Sequence, residues 1–128
     1  MPAAVRGEAE ALVAARRGAR RAWGWKDPRT LLFLDFWDEL LPDARYLFVF
    51  RPPWEVVDSL YRRGDEAFRD HPRLAIDLWV SYNRRILDVA RRRPERCVVI
   101  ECDRVAEDPA GLVAHAARRV APIEREAM

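Results

Sequence analysis

The chain has 128 residues, half of them hydrophobic, which suffices for one globular domain with a single core. Its 23 basic residues nearly balance 21 acidic ones, and a net charge of +2 argues against a surface that binds nucleic-acid phosphates throughout. No apolar run is long enough to span a membrane, and the first residues lack the apolar core of a secretory signal. Cys97 and Cys102 lie on opposite faces of one predicted strand, where they do not pair. We therefore expect a cytoplasmic protein of one domain, residues 1–128.

Of the 23 basic residues, 22 are arginine and one, Lys26, is lysine. A coding bias toward arginine and alanine accounts for most of this imbalance. An ammonium group nevertheless differs from a guanidinium group in shape, hydration and pKa range, so the single lysine is a candidate functional residue.

The N-terminal part predicts two helices separated by a segment that a proline interrupts. Residues 7–22 are rich in helix formers, with acids early and arginines late, which suits the helix macrodipole. The segment WGWKDPRT, 23–30, begins extended, and Pro28 keeps the residue before it out of the helical region. Its first four residues, WGWK, are a candidate third strand. A second helix is predicted over residues 30–41.

The central segment predicts a buried strand followed at once by a helix. DARYLFVFR, 43–51, contains five consecutive apolar residues, which favours a strand covered on both faces, as in a parallel sheet. Pro52 and Pro53 suit the strand exit and the first helical turn, and Gly64 suits the helix C-cap. Residues 65–72 are predicted to be a loop.

The C-terminal half predicts a long helix, a second buried strand over 97–102 and a last helix over 107–120 that Asp108 and Pro109 begin. The long helix, 73–93, keeps its apolar residues at the spacing of one buried stripe. That stripe contains Ala75, Leu78, Trp79, Tyr82, Ile86, Val89 and Ala90.

The predicted order of strands and helices is typical of the α/β class, with a short parallel sheet flanked by helices. Two clear strands are few for such a sheet. The chain is therefore predicted to be part of an α/β domain, or a minimal version of one. An incomplete sheet would expose an edge strand and an apolar face, so self-association is expected.

Arg51 ends the first predicted strand where a helix begins, which places a permanent cation beside the free N–H groups of that helix. Ser59 follows eight residues later, about 9 Å along the helix axis from its start. Charged hydrogen bonds from the two side chains could hold a phosphate between them. The alternative is that Arg51 pairs with Glu55 or Asp58 and that Ser59 only fills a tight helix contact.

Three segments resemble the sulfotransferases that use 3′-phosphoadenosine 5′-phosphosulfate (PAPS), in the branch of the bacterial and protein-tyrosine enzymes. FRPPWEVVDSL is similar to their 3′-phosphate-binding element. WGWKDPRTLLFLDFWDELLPDARYLFVFR resembles the Lys-Asp-Pro segment and helix before it, and RCVVIECDRVAEDPAGL resembles a later strand, Asp-Pro and helix. The similarity covers residues 23–117 in the family's order. It implies a partial P-loop-like three-layer sandwich.

The resemblance implies roles for three residues and a nucleotide co-substrate, with no metal, nucleic acid or membrane. Arg51 and Ser59 would bind the 3′-phosphate of PAPS, or of its product 3′,5′-ADP. Lys26 would lie beside the sulfuryl group, where a compact cation stabilises negative charge during transfer to a hydroxyl acceptor. The alternative for Lys26 is a surface ion pair with Asp27.

The chain also departs from the family. Pro52 stands where an Asp or Asn is usual, and Cys102 where many members have a Tyr near the adenine. The Gly-rich loop that binds the 5′-phosphosulfate has no counterpart, since the glycines are isolated. Neither His71 nor His115 suits the general base. The chain alone is therefore expected to be inactive, as a truncated product, a fragment or a chain that a partner completes.

Two other interpretations stay open. The protein could retain only nucleotide or anion recognition, as a non-catalytic remnant. It could also bind nucleic acid through its paired arginines, although these alternate with acids on amphipathic helices and fit solvated faces better.

Overall fold

The computed structural model describes residues 2–19 and 23–119, and the chain packs as two compact units, Met1–Pro42 and Asp43–Met128. The elements of the first unit are α1 (Ala3–Ala19), a 3₁₀ helix (Pro28–Phe33) and α2 (Leu34–Leu40). Those of the second unit are β1 (Tyr46–Phe50), α3 (Pro53–Arg62), α4 (Glu66–Asp70), α5 (Pro72–Arg92), a second 3₁₀ helix (Pro94–Arg96), β2 (Cys97–Glu101), α6 (Cys102–Glu107) and α7 (Pro109–Arg119).

In the first unit, the predicted N-terminal helix is confirmed, although it begins earlier than expected and its predicted end at 20–22 lies outside the described residues. The prediction of a third strand at WGWK is wrong. The residue before Pro28, Asp27, is extended as predicted, with φ −150° and ψ 120°. Its carboxylate accepts a hydrogen bond from the backbone N–H of Arg29 at 2.9 Å. This cap starts a 3₁₀ helix, which occupies the first part of the predicted second helix.

The two predicted strands pair in parallel, with Tyr46 opposite Cys97 and Phe50 opposite Glu101. The prediction that the first strand is covered on both faces is wrong, because Leu47 and Val49 are 47% and 49% exposed. Their partners across the sheet, Val98 and Ile100, are buried. The difference arises because α5, α6 and α7 all pack against β2. An apolar run therefore identified the strand but not how much of it is buried.

The connection from β1 to β2 contains α3, α4, α5 and the second 3₁₀ helix, and α5 packs against α3 and α4. Gly64 follows α3 with a φ of 74°, which confirms it as the residue that ends the helix. The prediction of a loop over 65–72 is wrong, since Glu66–Asp70 is a short helix on the surface of α5. Of the apolar stripe predicted on α5, Ala75, Ile86 and Val89 are buried, but Leu78 is exposed, so the prediction is only partly confirmed.

After β2 the chain forms two helices where only one was predicted. Residues 102–107 form α6, and the predicted last helix is confirmed as α7. The carboxylate of Asp108 accepts a hydrogen bond from the N–H of Gly111 at 2.9 Å, so it caps α7 as expected. Cys97 and Cys102 form no disulfide, as predicted, but the prediction that both lie on one strand is wrong because Cys102 begins α6.

Two arginines, one before each strand, form hydrogen bonds with backbone carbonyls at the beginning of the sheet. Arg45, just before β1, donates to the carbonyl of Glu95 at 3.3 Å and to that of Arg119 at 2.9 Å. Arg96, just before β2, donates to the carbonyl of Ala44 at 2.7 Å and lies 5.5 Å from the centre of the Tyr46 ring. Each guanidinium therefore binds the backbone that leads into the other strand.

These elements establish a mixed α/β protein that is mostly helical and has a short, two-stranded parallel sheet among its described residues. The finer assignment to a P-loop-like three-layer sandwich stays a prediction. None of the described helices is both long enough and apolar enough to cross a lipid bilayer.

We expect Ala75→Leu to lower the free energy of unfolding by about 1–3 kcal/mol, because Ala75 has no exposed surface and added methyl groups must displace its neighbours. Urea titration followed by circular dichroism measures this loss. The matched control is Ala67→Leu on the exposed surface of α4, which should change stability by less than about 0.5 kcal/mol. Equal losses in both variants would contradict the placement of α5.

Candidate functional site

The two residues predicted to bind phosphate, Arg51 and Ser59, line one open groove with a volume of about 410 Å³. We call it the α3 groove, because its other lining residues also lie along one side of that helix. They are Glu55, Asp58, Arg62 and Arg63. With three guanidinium groups and two carboxylates, the groove carries a net charge of +1.

The backbone that carries Arg51 is fixed by its neighbours in the fold. The indole N–H of Trp79 on α5 donates to the Arg51 carbonyl at 2.8 Å, so the end of β1 is tied to α5. The following Pro52 is buried, and Pro53 opens α3 with a ring that already holds the helical φ. The chain therefore leaves the strand and enters the helix along one defined path.

The guanidinium of Arg51 pairs with Glu55, which is one of the two partners that the alternative interpretation named. Its Nε donates to Oε2 of Glu55 at 3.1 Å. The other named partner, Asp58, instead pairs with Arg62 at 2.9 Å. Partly exposed pairs of this spacing contribute only about 0.3–0.5 kcal/mol each. Both pairs can therefore open when a stronger anion competes for the guanidinium groups.

Two polar groups of the groove have no partner among residues 2–19 and 23–119. The Ser59 hydroxyl makes no side-chain hydrogen bond there, and the Arg63 guanidinium makes no ion pair. Arg63 was not predicted as a site residue, although its position four residues after Ser59 puts both on one helix face. The groove thus has an uncompensated cation beside a free hydroxyl.

The start of α3 contributes less to the groove than its predicted role implied. Pro53 has no N–H, and the N–H of Val56 already donates to the Pro52 carbonyl at 3.3 Å. Trp54 is 70% exposed and does not line the groove. The groove therefore follows the side of the helix, and its side chains carry most of the recognition.

Lys26 lies in the first unit, in the extended segment before the 3₁₀ helix, and is exposed. The alternative for Lys26, an ion pair with Asp27, is not formed as a direct contact, because Arg29 binds both oxygens of that carboxylate. After the larger effects of Arg29, the nearby Lys26 charge also lowers the pKa of Asp27. Nε of Arg29 donates to Oδ1 at 3.0 Å, and Nη2 donates to Oδ2 at 2.6 Å. The Lys26 ammonium consequently has no ion-pair partner among the described residues.

The bond with Arg29 also changes the titration of both groups. The side-chain hydrogen bond from Arg29, followed by its backbone N–H, lowers the pKa of Asp27 from 3.8 to about 2. The same bond raises the pKa of the Arg29 guanidinium. Asp27 therefore stays ionised down to strongly acidic pH, and its carboxylate stays paired with Arg29.

The described residues contain no group of three or more His, Cys, Asp or Glu side chains arranged to hold a metal ion. Comparison with models of known protein families, with curated protein sequences and with solved structures finds no match.

We expect Arg29→Gln to return the pKa of Asp27 toward 3.8, because the main cause of the lowered pKa is removed. Carbon-detected NMR titration of the Asp27 carboxyl measures this change. In the native protein the folded pKa lies below the unfolded one, so the stabilisation by this bond is complete above about pH 4 and decreases as the pH falls toward 2.

Arg6→Gln is the matched control, since Arg6 bonds to Glu10 and Glu39 in the same unit. It should leave the titration of Asp27 unchanged. A native midpoint near 3.8, or one that Arg29→Gln does not move, would contradict the assigned contact.

Proposed function

We propose that the α3 groove binds the 3′-phosphate of PAPS or of 3′,5′-ADP, and that the chain is the nucleotide-binding part of a sulfotransferase. The reaction of that enzyme would transfer a sulfuryl group to a hydroxyl acceptor. The observation that supports the proposal is the shared groove of Arg51 and Ser59. A guanidinium and an unpartnered hydroxyl at this spacing match the family's 3′-phosphate element.

Phosphate binding in this groove is an exchange of anions at Arg51. Glu55 contacts only Nε of that guanidinium and presents one negative charge. A phosphate monoester carries a charge of about −1.5 to −2 and has three acceptor oxygens, so it can take a bidentate contact that the carboxylate does not make. The weak ion pair is therefore replaced by a stronger, charge-assisted one.

Arg63 and Ser59 favour the same exchange. Bringing the phosphate next to Arg63 neutralises a cation that has no ion pair among the described residues. Serine hydroxyls in helices commonly bond to a carbonyl of the preceding turn. The Ser59 hydroxyl makes no such bond, so it can donate to a phosphate oxygen without giving up another partner.

Lys26 is proposed to act on the sulfuryl group. Its ammonium makes no ion pair among the described residues, and the adjacent carboxylate, Asp27, is bound to Arg29. During transfer, negative charge increases on the oxygen that bridges sulfur and the leaving phosphate. A mobile ammonium with no competing partner is suited to stabilise that oxygen.

The charges of the surface favour a single small anion over a nucleic-acid backbone. Exposed arginines on several helices pair with acids one turn away, as Arg62 does with Asp58 and Arg92 with Asp88. The groove itself contains two carboxylates, which oppose a continuous row of phosphates. These pairs support the prediction that the arginines form solvated helix faces.

We expect the chain to bind 3′,5′-ADP at least about tenfold more tightly than 5′-AMP, and Arg51→Ala to remove that preference, since charged hydrogen bonds contribute about 1.5–3 kcal/mol. Isothermal titration calorimetry at fixed salt measures both affinities. Arg63→Ala should lower the affinity for 3′,5′-ADP several-fold. The matched control is Arg73→Ala on α5, whose side chain is 89% exposed and outside the groove.

Glu55→Gln should change the affinity in the opposite direction. Removing the carboxylate frees Arg51 and ends its repulsion of the phosphate, so 3′,5′-ADP should bind about two- to fivefold more tightly. A partly unfolded variant would lose affinity, so this gain separates recognition from stability. Equal affinity for the two nucleotides, or no response to either Arg51→Ala or Glu55→Gln, would refute the proposed function.

A further inference from the structure

The first unit contains a second cavity of about 350 Å³, which we call the tryptophan pocket. It is lined by Leu12, Val13, Arg16, Trp23, Gly24, Trp25 and Trp37. Its volume falls in the range of about 300–1,000 Å³ that is typical of small-molecule sites. Neither the α3 groove nor Lys26 contributes to its lining.

Three indole rings form a continuous aromatic wall in this pocket. The rings of Trp23 and Trp25 are stacked, with centres 5.8 Å apart and planes 21° apart. The ring of Trp37 on α2 lies 5.0 Å from that of Trp25 and is tilted by 58°. The indole N–H of Trp25 donates to the hydroxyl of Thr30 at 2.9 Å, which fixes the central ring.

The sequence WGW explains why two of these rings stand side by side. In an extended segment, side chains two residues apart point to the same side. The side chains of Trp23 and Trp25 therefore lie on the same side of the chain. Gly24 lies between them and has no side chain to place on the opposite side. The capped turn at Asp27 keeps this segment out of a helix, where the same two residues would diverge.

Among the described residues that line the pocket, Arg16 is the one with a charged side chain. It makes no ion pair with any residue in 2–19 or 23–119, whereas Arg6 on the same helix binds both Glu10 and Glu39. A guanidinium at an aromatic cavity complements a carboxylate or sulfonate. It opposes a cationic ligand, although tryptophan rings alone could also attract one.

We propose that the tryptophan pocket binds a planar aromatic anion, meaning a flat ring system with one carboxylate or sulfonate group. The ring packs on the exposed part of Trp25, which is 47% accessible, and on Leu12, which is 54% accessible. The anionic group pairs with Arg16. Stacking favours a flat ring over an aliphatic chain of the same area. The positive charge of Arg16 favours a ligand with a negative charge.

Calorimetric titration of the full chain with naphthalene-2-sulfonate tests this site, with neutral naphthalene-2-sulfonamide as the ligand control. We expect the sulfonate to bind about five- to tenfold more tightly than the sulfonamide. Arg16→Gln should lower the affinity for the sulfonate to that for the sulfonamide. Arg17→Gln, the adjacent arginine of α1 outside the pocket, should have no effect.

Leu12→Glu provides a second variant that leaves the tryptophans intact. Leu12 is an exposed helix position, so the helix should form as before, which circular dichroism can confirm. The new carboxylate should repel the sulfonate and reduce its affinity at least about tenfold. Absence of sulfonate binding by the native chain, equal losses from Arg16→Gln and Arg17→Gln, or unchanged affinity in Leu12→Glu would each overturn the proposal.

Discussion

The parallel pairing of β1 with β2 is the constraint on which the second unit depends. Parallel strands cannot be joined by a tight turn, so the chain must leave the end of β1 and return to the start of β2. Helices α3, α4 and α5 make that return. Because α3 begins directly after β1, Arg51 lies at the turn between the strand and the helix. This position lets Arg51 line the α3 groove together with residues of that helix. Arg45 and Arg96 hold the opposite end of the sheet, since Arg45 donates to the carbonyl of Glu95 and Arg96 donates to that of Ala44.

The distribution of ion pairs shows which cations lack a carboxylate partner in a chain with a net charge of +2. Several exposed arginines pair with an acid one helical turn away, and such pairs leave little field at a distance. Several cations have no ion pair among the described residues, Arg17 and Arg84 included, and three of these cations lie at features described above. Arg63 is in the α3 groove, Arg16 is in the tryptophan pocket, and Lys26 follows the WGW segment.

Local signals in the sequence were sufficient for the main elements. The apolar runs identified both strands, the prolines and Gly64 placed the ends of α3, and Asp108 marked the start of α7. The spacing of Arg51 and Ser59 made a shared phosphate site possible, but it left open the alternative that Arg51 pairs with an acid and Ser59 fills a helix contact. The two residues do line one groove, and Arg51 does pair with Glu55.

Features that depend on distant partners could not be predicted in this way. Leu47 and Val49 are exposed because the helices pack against β2 and leave part of β1 uncovered. An apolar run in the sequence does not indicate which strand the helices will cover. The short helices α4 and α6 have too few turns to produce a periodic pattern. The choice of Glu55 over Asp58 as the partner of Arg51 depends on side-chain geometry, which the spacing of the residues left open.

The long connection between the strands also sets the order in which the protein can fold. Helices form from contacts close in sequence, within about a microsecond, whereas pairing Tyr46 with Cys97 requires closure of the whole intervening chain. We therefore expect the sheet to form late, after α5, which packs against β2 in the native structure, has brought that strand into place. Until then the uncharged segment YLFVF lacks its partner, and the rate of sheet closure relative to encounters between chains determines the yield of native protein at a given concentration.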